Sequence, residues 1–150
     1  MADFRPISPW LPVVLWAGVI SLLSTSWLAA DHTGRLLLPL LAKLFPGASP
    51  AGLHAMHAAI RKLAHVTEFG VLSVLLYRAL HTPLRSRRRA AVLALVLAAG
   101  YAVLDELHQH FVPGRTAAAA DCLLDTAGAA TGQLILAAAR ARRGAMPSAA

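Results

Sequence analysis

The stretch that decides the fold is W-L-P-V-V-L-W-A-G-V-I-S-L-L-S-T-S-W-L-A-A, residues 10–30, which carries no charged side chain. As an α-helix rising about 1.5 Å per residue, it is long enough to cross a hydrocarbon layer about 30 Å thick. A cleaved signal peptide is the alternative, but the apolar run is long for one, and Leu28-Ala29-Ala30 is a poor cleavage site. The stretch therefore predicts a first membrane-spanning helix.

The composition of the whole chain is typical of a membrane protein. Of its 150 residues, 57% are hydrophobic and only 14% are charged, which is unusual for a soluble domain. Three further apolar segments are long enough to span, over residues 63–80, 90–107 and 117–139. We expect an all-α bundle of four transmembrane helices, forming a single domain over residues 1–143, and a disordered tail over residues 144–150.

The basic residues predict the orientation in the membrane. The net charge of +7 does not indicate nucleic-acid binding, because no basic face with interleaved aromatic side chains is present. Nine of the 14 basic residues flank the spans on one side, which predicts an inner-membrane protein with both termini and residues 81–89 in the cytoplasm. Residues 35–45, R-L-L-L-P-L-L-A-K-L-F, are too short and too charged to span. They are predicted to lie along the outer interface, between the first two helices.

Five of the seven acidic residues fall inside or at the edge of the predicted spans. A carboxylate in a membrane segment needs a partner and often has a function. With the predicted topology, polar side chains from all four spans reach the same outer depth, which predicts a polar pocket there. Its predicted lining is Ser24, Lys62, His65, Glu68, Asp105, Glu106, Gln109, Arg115, Asp121 and Asp125.

Helical periodicity agrees with this pocket. At about 100° per residue, one arc of about 80° on a helix leading into the second span holds His54, His57, Arg61, His65 and Glu68. On the fourth span, Asp121 and Asp125 share a stripe about 60° wide with Gly128 and Gly132. The two glycines allow close helix approach, which we expect within one chain rather than between chains. The oligomeric state stays open.

Two segments carry a family resemblance. K-L-A-H-V-T-E-F-G-V-L (residues 62–72) and Y-A-V-L-D-E-L-H-Q-H-F-V-P-G-R-T-A-A-A-A-D-C-L-L-D-T-A-G-A-A-T-G (residues 101–132) resemble the VanZ-like family of small bacterial membrane proteins. Phe69 stands where that family often has Tyr, and Asp125 where Asn is common. The founding member is associated with low-level resistance to the glycopeptide teicoplanin. The resemblance thus implies a role in the cell envelope and a site, but no particular reaction.

Two interpretations of the site involve no chemistry. In the structural interpretation, the acids pair with Lys62, His65 and Arg115 and hold the helices together. In the binding interpretation, Lys62 and Arg115 hold the phosphate or carboxylate of a lipid-linked envelope precursor or a glycopeptide. Ser24, Gln109, Asp121 and Asp125 would then complete the binding site.

A catalytic interpretation is also open, so whether the protein is an enzyme is undecided from sequence. Glu68, Asp105 or Glu106 would be the general base, and His65 would relay the proton. A divalent metal is an alternative, but no compact metal motif is present, and we predict no metal ligands and no cofactor. The single cysteine, Cys122, excludes an internal disulfide.

Overall fold

The computed structural model describes residues 8–25, 30–112 and 119–145, and its elements there are all α-helices. They are α1 (Leu11–Leu23), α2 (Ala30–Leu44), α3 (Pro50–Leu84), α4 (Arg87–His110) and α5 (Ala119–Ala145). Helices α3, α4 and α5 are long and apolar enough to cross a membrane, and α1 is a shorter apolar helix. The chain is therefore an all-α membrane protein with three long candidate spans and one shorter one.

Helix α1 is shorter than the sequence predicts. It has 13 residues, or about 20 Å of helix, against the predicted span of residues 10–30. The helix ends where hydroxyl side chains begin to bond elsewhere: Ser24 donates to a side chain on α4, and Thr25 donates to the carbonyl oxygen of Leu22 at 2.7 Å. Such hydroxyls compete with the helix for backbone partners. Residues 26–29 lie outside the described part of the chain.

Helix α3 is the longest element and contains the second predicted span. It begins where Ser49 accepts a hydrogen bond from the backbone N–H of Gly52 at 3.2 Å, with Pro50 in the first turn. Both are favourable helix-start residues. The helix then continues unbroken past Arg61 for 35 residues, or about 52 Å. Its N-terminal part therefore extends well beyond the predicted span of residues 63–80.

Helices α3 and α5 pack closely through glycine. A Cβ atom at Gly128 would lie 2.6 Å from the carbonyl oxygen of Val66, and one at Gly132 would collide with the carbonyl oxygen of Gly70. Only a residue without a side chain fits at either position of α5. The small-residue stripe thus packs two helices of one chain, as expected from its spacing.

Helix α4 contributes an alanine stripe to the core. Ala90, Ala94, Ala98 and Ala102 each have no exposed surface. They pack in one cluster with larger side chains of α3, among them Phe69. Because alanine is small, the stripe allows the two helices to approach closely.

Side-chain hydrogen bonds attach α1 to its neighbours. The indole N–H of Trp16 donates to the backbone carbonyl oxygen of Glu68 on α3 at 2.9 Å. The hydroxyl of Tyr101 on α4 donates to the carbonyl oxygen of Ala17 at 2.7 Å. These bonds hold the middle of α1 near the middle of α3 and next to Tyr101 of α4.

Helix α2 includes most of the segment predicted to lie along the outer interface. Leu36, Leu40 and Leu44, spaced one turn apart, are exposed, whereas Leu41 is buried. An exposed leucine face is typical of a helix that lies in a membrane interface. At the other end of the chain, α5 includes residues 144 and 145, the first two of the predicted tail, and residues 146–150 lie outside the description.

Candidate functional site

The first polar cluster joins α1 to α4 around one carboxylate. The Ser24 hydroxyl donates to Oδ2 of Asp105 at 2.8 Å. The side-chain N–H of Gln109, one turn further along α4, donates to the same oxygen at 2.7 Å. All three side chains are buried. Two neutral donors thus satisfy this oxygen of Asp105, which lowers the cost of burying the carboxylate.

The second polar cluster joins α3 to α5. Nδ1 of His65 lies 3.2 Å from Oδ1 of Asp125, and Asp125 is only 1% exposed. A carboxylate beside one ring nitrogen fixes the orientation of an imidazole and leaves the other nitrogen for a ligand or a proton. In His65 that remaining nitrogen is Nε2.

A cavity of about 210 Å³ lies between α1, α2 and α3 and touches both clusters. Its polar lining consists of Ser24, Thr33, Arg61, His65 and Glu68. Its apolar lining consists of Leu23, Leu37, Ile60 and Ala64. Since Ser24 is bonded to Asp105 and His65 contacts Asp125, the two buried carboxylates stand directly behind the cavity wall.

Helix α2 positions the cation of this cavity. The guanidinium of Arg61 donates to the hydroxyl of Thr33 at 3.2 Å. The same hydroxyl lies 3.0 Å from Nε2 of His57, which is buried. Thr33 therefore connects Arg61 to the first turns of α3 and holds the guanidinium at the cavity.

Sequence reasoning did not select Arg61, although a signal for it was present. Arg61 shares the 80° arc of α3 with His65 and Glu68, whereas Lys62 lies about 60° outside that arc. In the structure Lys62 is exposed and is not part of the cavity lining. Thr33 carried no such signal, because its place depends on how α2 folds back on α3.

The other predicted residues fall into four groups. Glu68 is half-buried and lines the cavity, as do Ser24 and His65. Asp105, Gln109 and Asp125 stand behind it, in the two clusters. Glu106 is buried and Asp121 half-buried, and neither belongs to the lining. Arg115 lies outside the described residues.

The described side chains do not form a compact metal centre. Across residues 8–25, 30–112 and 119–145, no three His, Cys, Asp or Glu side chains come together as metal ligands would. His65 faces Asp125, and Asp105 accepts hydrogen bonds from Ser24 and Gln109.

Comparison with known families agrees with the motifs. The sequence model of the VanZ/LLP1 family matches residues 10–140, which include α1 to α4 and most of α5. The chain belongs to the VanZ/LLP1 family. No curated protein and no solved structure matches it significantly. The VanZ-like resemblance carried by residues 62–72 and 101–132 is confirmed, and the match extends it to the first two helices.

The cavity of this VanZ-like protein suits an amphiphilic ligand. Arg61 supplies a planar cation that binds phosphate or carboxylate through two parallel hydrogen bonds. Leu37 and Ile60 supply an apolar wall for the adjoining part of the ligand. Ser24 and Glu68 add a hydroxyl and a carboxylate to the polar part of the lining.

Proposed function

We propose that this VanZ-like protein acts in the bacterial cell envelope by binding the anionic headgroup of a lipid-linked envelope precursor. The binding site is the cavity between α1, α2 and α3. One observation carries the proposal: Arg61, held by Thr33 at 3.2 Å, lines the same cavity as the apolar side chains Leu37 and Ile60. A phosphate at Arg61 and a lipid chain at the apolar wall would occupy both surfaces.

The site is proposed to open at the outer leaflet of the inner membrane. The support is the distribution of the basic residues. Nine of the 14 lie on the side of the termini and the α3–α4 connection, which the positive-inside rule assigns to the cytoplasm. In this topology α1 is a fourth transmembrane helix, and α2 lies on the outer surface above the cavity. The association of the VanZ-like family with teicoplanin resistance fits a protein that acts on a precursor, or on the glycopeptide itself, at this surface.

The contact between His65 and Asp125 favours a second function, acid–base chemistry on the bound lipid. With Nδ1 facing the Asp125 carboxylate, Nε2 of His65 is the nitrogen that would accept or return a proton in the cavity. Glu68, on the same cavity surface, is the second candidate for such a role. This function requires the lipid to be bound in the same cavity, and it adds proton transfer on that lipid.

A purely structural role is the competing hypothesis, because the two clusters also tie helices together. The Asp105 cluster joins α1 to α4, and the Asp125 contact joins α3 to α5. Arg61 separates the two hypotheses. The Arg61 side chain lines the cavity, so an anionic ligand would need it. The buried carboxylates would be needed under either hypothesis.

The test compares two adjacent basic residues, Arg61→Gln and Lys62→Gln, in cells whose envelope admits teicoplanin. The substitutions remove the same charge, but only Arg61 lines the cavity. We expect Arg61→Gln to abolish the resistance phenotype, or the change in the lipid-linked precursor pool, at normal membrane abundance. Lys62→Gln should behave as wild type.

Two other outcomes contradict the proposal. If Arg61→Gln is lost from the membrane while Lys62→Gln is not, the guanidinium mainly holds α2 on α3, and the structural hypothesis is favoured. If the two variants lose the phenotype to the same extent at normal abundance, positive charge near the interface matters and the cavity does not.

A further inference from the structure

A second, larger groove lies at the other end of the bundle, between α4 and α5. Its volume is about 790 Å³. Three arginines line it, Arg87 and Arg88 at the start of α4 and Arg140 near the end of α5. Along α5, Arg140 is about 22 Å from Asp125, at about 1.5 Å per residue. The arginine end of the groove is therefore remote from the cavity between α1, α2 and α3, and the two share no lining residue.

We propose that this groove binds an anionic phospholipid, with the phosphate headgroup at the three arginines and an acyl chain along the apolar wall. Because the groove is separate from the cavity, the lipid site does not depend on the proposed function.

Charge favours an anion at this groove. Residues 69–104 and 126–150 contain eight arginines and no acidic residue, so that neither segment supplies a carboxylate to neutralise the lining. Arg87 and Arg88 are exposed and stand at the N-terminus of α4, where the helix dipole also favours an anion. Basic pockets of this kind between transmembrane helices bind the phosphates of anionic lipids.

Arg140 is already held in position for a ligand. Its guanidinium carbon lies 4.1 Å from the centroid of the Tyr77 ring, and that ring also stacks on His81. A guanidinium stacked on an aromatic face keeps its N–H groups available at the edge for a phosphate. The stacking thus reduces the side-chain freedom that binding would otherwise remove.

Tyr77 provides an independent indication that the groove receives a polar ligand. Tyr77 lines the groove and is 2% exposed. Its hydroxyl is buried and makes no hydrogen bond to any part of the chain that the structure describes. A buried hydroxyl without a partner is unfavourable by about 1–3 kcal/mol, and a lipid headgroup oxygen would satisfy it.

The rest of the groove fits a hydrocarbon chain. Leu95 of α4 and Leu134 of α5 continue the lining away from the arginines, and Leu134 is 70% exposed. From Arg87 to Leu95 the groove follows about 12 Å of helix, which covers the upper part of an acyl chain. A free phosphate would leave this apolar part unused.

The test is lipid retention by the full-length protein, purified in detergent and titrated with dioleoyl phosphatidylglycerol or dioleoyl phosphatidylcholine. Bound lipid is counted by native mass spectrometry. We expect preferential retention of phosphatidylglycerol by the wild type. Arg87→Gln/Arg88→Gln/Arg140→Gln should weaken it on the order of a hundredfold, since each arginine near an anionic headgroup contributes about fivefold.

A matched triple variant controls for overall charge. Arg78→Gln/Arg142→Gln/Arg143→Gln removes three positive charges outside the groove and should keep the preference. If this control loses as much phosphatidylglycerol as the groove variant, the attraction is diffuse and the groove proposal is overturned.

A variant that changes no charge tests the proposed acyl-chain site. It keeps the proposal testable if the triple arginine variant does not fold. Ala137→Trp fills the apolar part of the groove at an exposed position and should reduce retention several-fold at an unchanged melting temperature. Full retention by this variant would overturn the placement of the chain. Displacement of the lipid by glycerol 3-phosphate at equal concentration would likewise overturn a lipid site in favour of a phosphate site.

Discussion

Nδ1 of His65 and Oδ1 of Asp125 lie 3.2 Å apart between α3 and α5, one turn away from the place where Gly128 meets Val66. The close approach of the two backbones and the polar contact between the two side chains lie within one turn of each other along the helix pair. Glycine brings α5 near enough to α3 for an aspartate to reach the imidazole. The contact therefore depends on packing as much as on charge.

Removal of the Asp125 carboxylate should distinguish a hydrogen bond from an ion pair. We expect Asp125→Ala to lower the stability of the purified protein by about 1–3 kcal/mol, because the half-buried imidazole loses the carboxylate that faces it. Asp125→Asn should keep most of the stability, since an amide oxygen can accept a hydrogen bond from Nδ1. The measurement is the melting temperature in detergent. Equal losses in the two variants would mean that the charge itself holds the contact.

The Asp105 cluster should be sensitive to the loss of a single hydroxyl. We expect Ser24→Ala to cost about 1–3 kcal/mol, since Oδ2 of Asp105 loses one of its two buried donors. Ser21→Ala is the matched control. The Ser21 hydroxyl is 2.8 Å from the Tyr101 hydroxyl, but Tyr101 also donates to the Ala17 carbonyl and keeps that partner. A denaturation midpoint shifted as far by Ser21→Ala as by Ser24→Ala would contradict the role given to Asp105.

The glycine contact between α3 and α5 should not accept a methyl group. Gly128→Ala and Gly132→Ala are expected to lower the melting temperature strongly, because the added carbon meets backbone atoms of Val66 and Gly70. Overpacking of this kind costs about 1–3 kcal/mol. Gly100→Ala is the control, as a Cβ there meets nothing within 4 Å and alanine favours a helix by about 1 kcal/mol. A stabilised Gly132→Ala variant would show that the two helices separate easily.

The orientation can be measured with two engineered cysteines in a Cys122→Ser background. Gly47→Cys lies between α2 and α3, and Thr82→Cys lies near the end of α3. Both positions are exposed. We expect a membrane-impermeant maleimide to label Gly47→Cys in intact spheroplasts and Thr82→Cys only after lysis. The reverse pattern would place the cavity between α1, α2 and α3 in the cytoplasmic half and remove the outer-leaflet proposal.

Much of the helical framework follows from sequence, because apolar length and helix-start residues are local properties. Residues 63–80 and 90–107 lie within α3 and α4, and Ser49 begins α3 as its type predicts. The early end of α1 was not predictable from apolar length, and the hydroxyl of Ser24 at that end bonds a carboxylate 81 positions away. Apolar length alone does not reveal such a long-range partner.

The sequence indicates which residues are candidates for the site better than it indicates which side chains contact each other. Periodicity gives the direction of a side chain around its own helix, and it places His65, Arg61 and Glu68 on one face of α3. It does not say which helix that face meets. The pairing of His65 with Asp125, and of Asp105 with Ser24, required the helices to be assembled. Lys62 is a different case, because periodicity places it about 60° outside the arc that holds Arg61 and so favours Arg61.

The alanine stripe of α4 has a consequence for how the bundle finds its register. Ala90, Ala94, Ala98 and Ala102 are identical and one turn apart, so that sliding α4 by one turn, about 5.4 Å, would present nearly the same surface to α3. Packing alone therefore discriminates weakly between the two registers. Asp105 does discriminate, because a slide would carry its carboxylate away from Ser24 and leave it with Gln109, a donor on its own helix that moves with it. The buried carboxylate thus acts as a stop that sets the depth of α4 relative to α1.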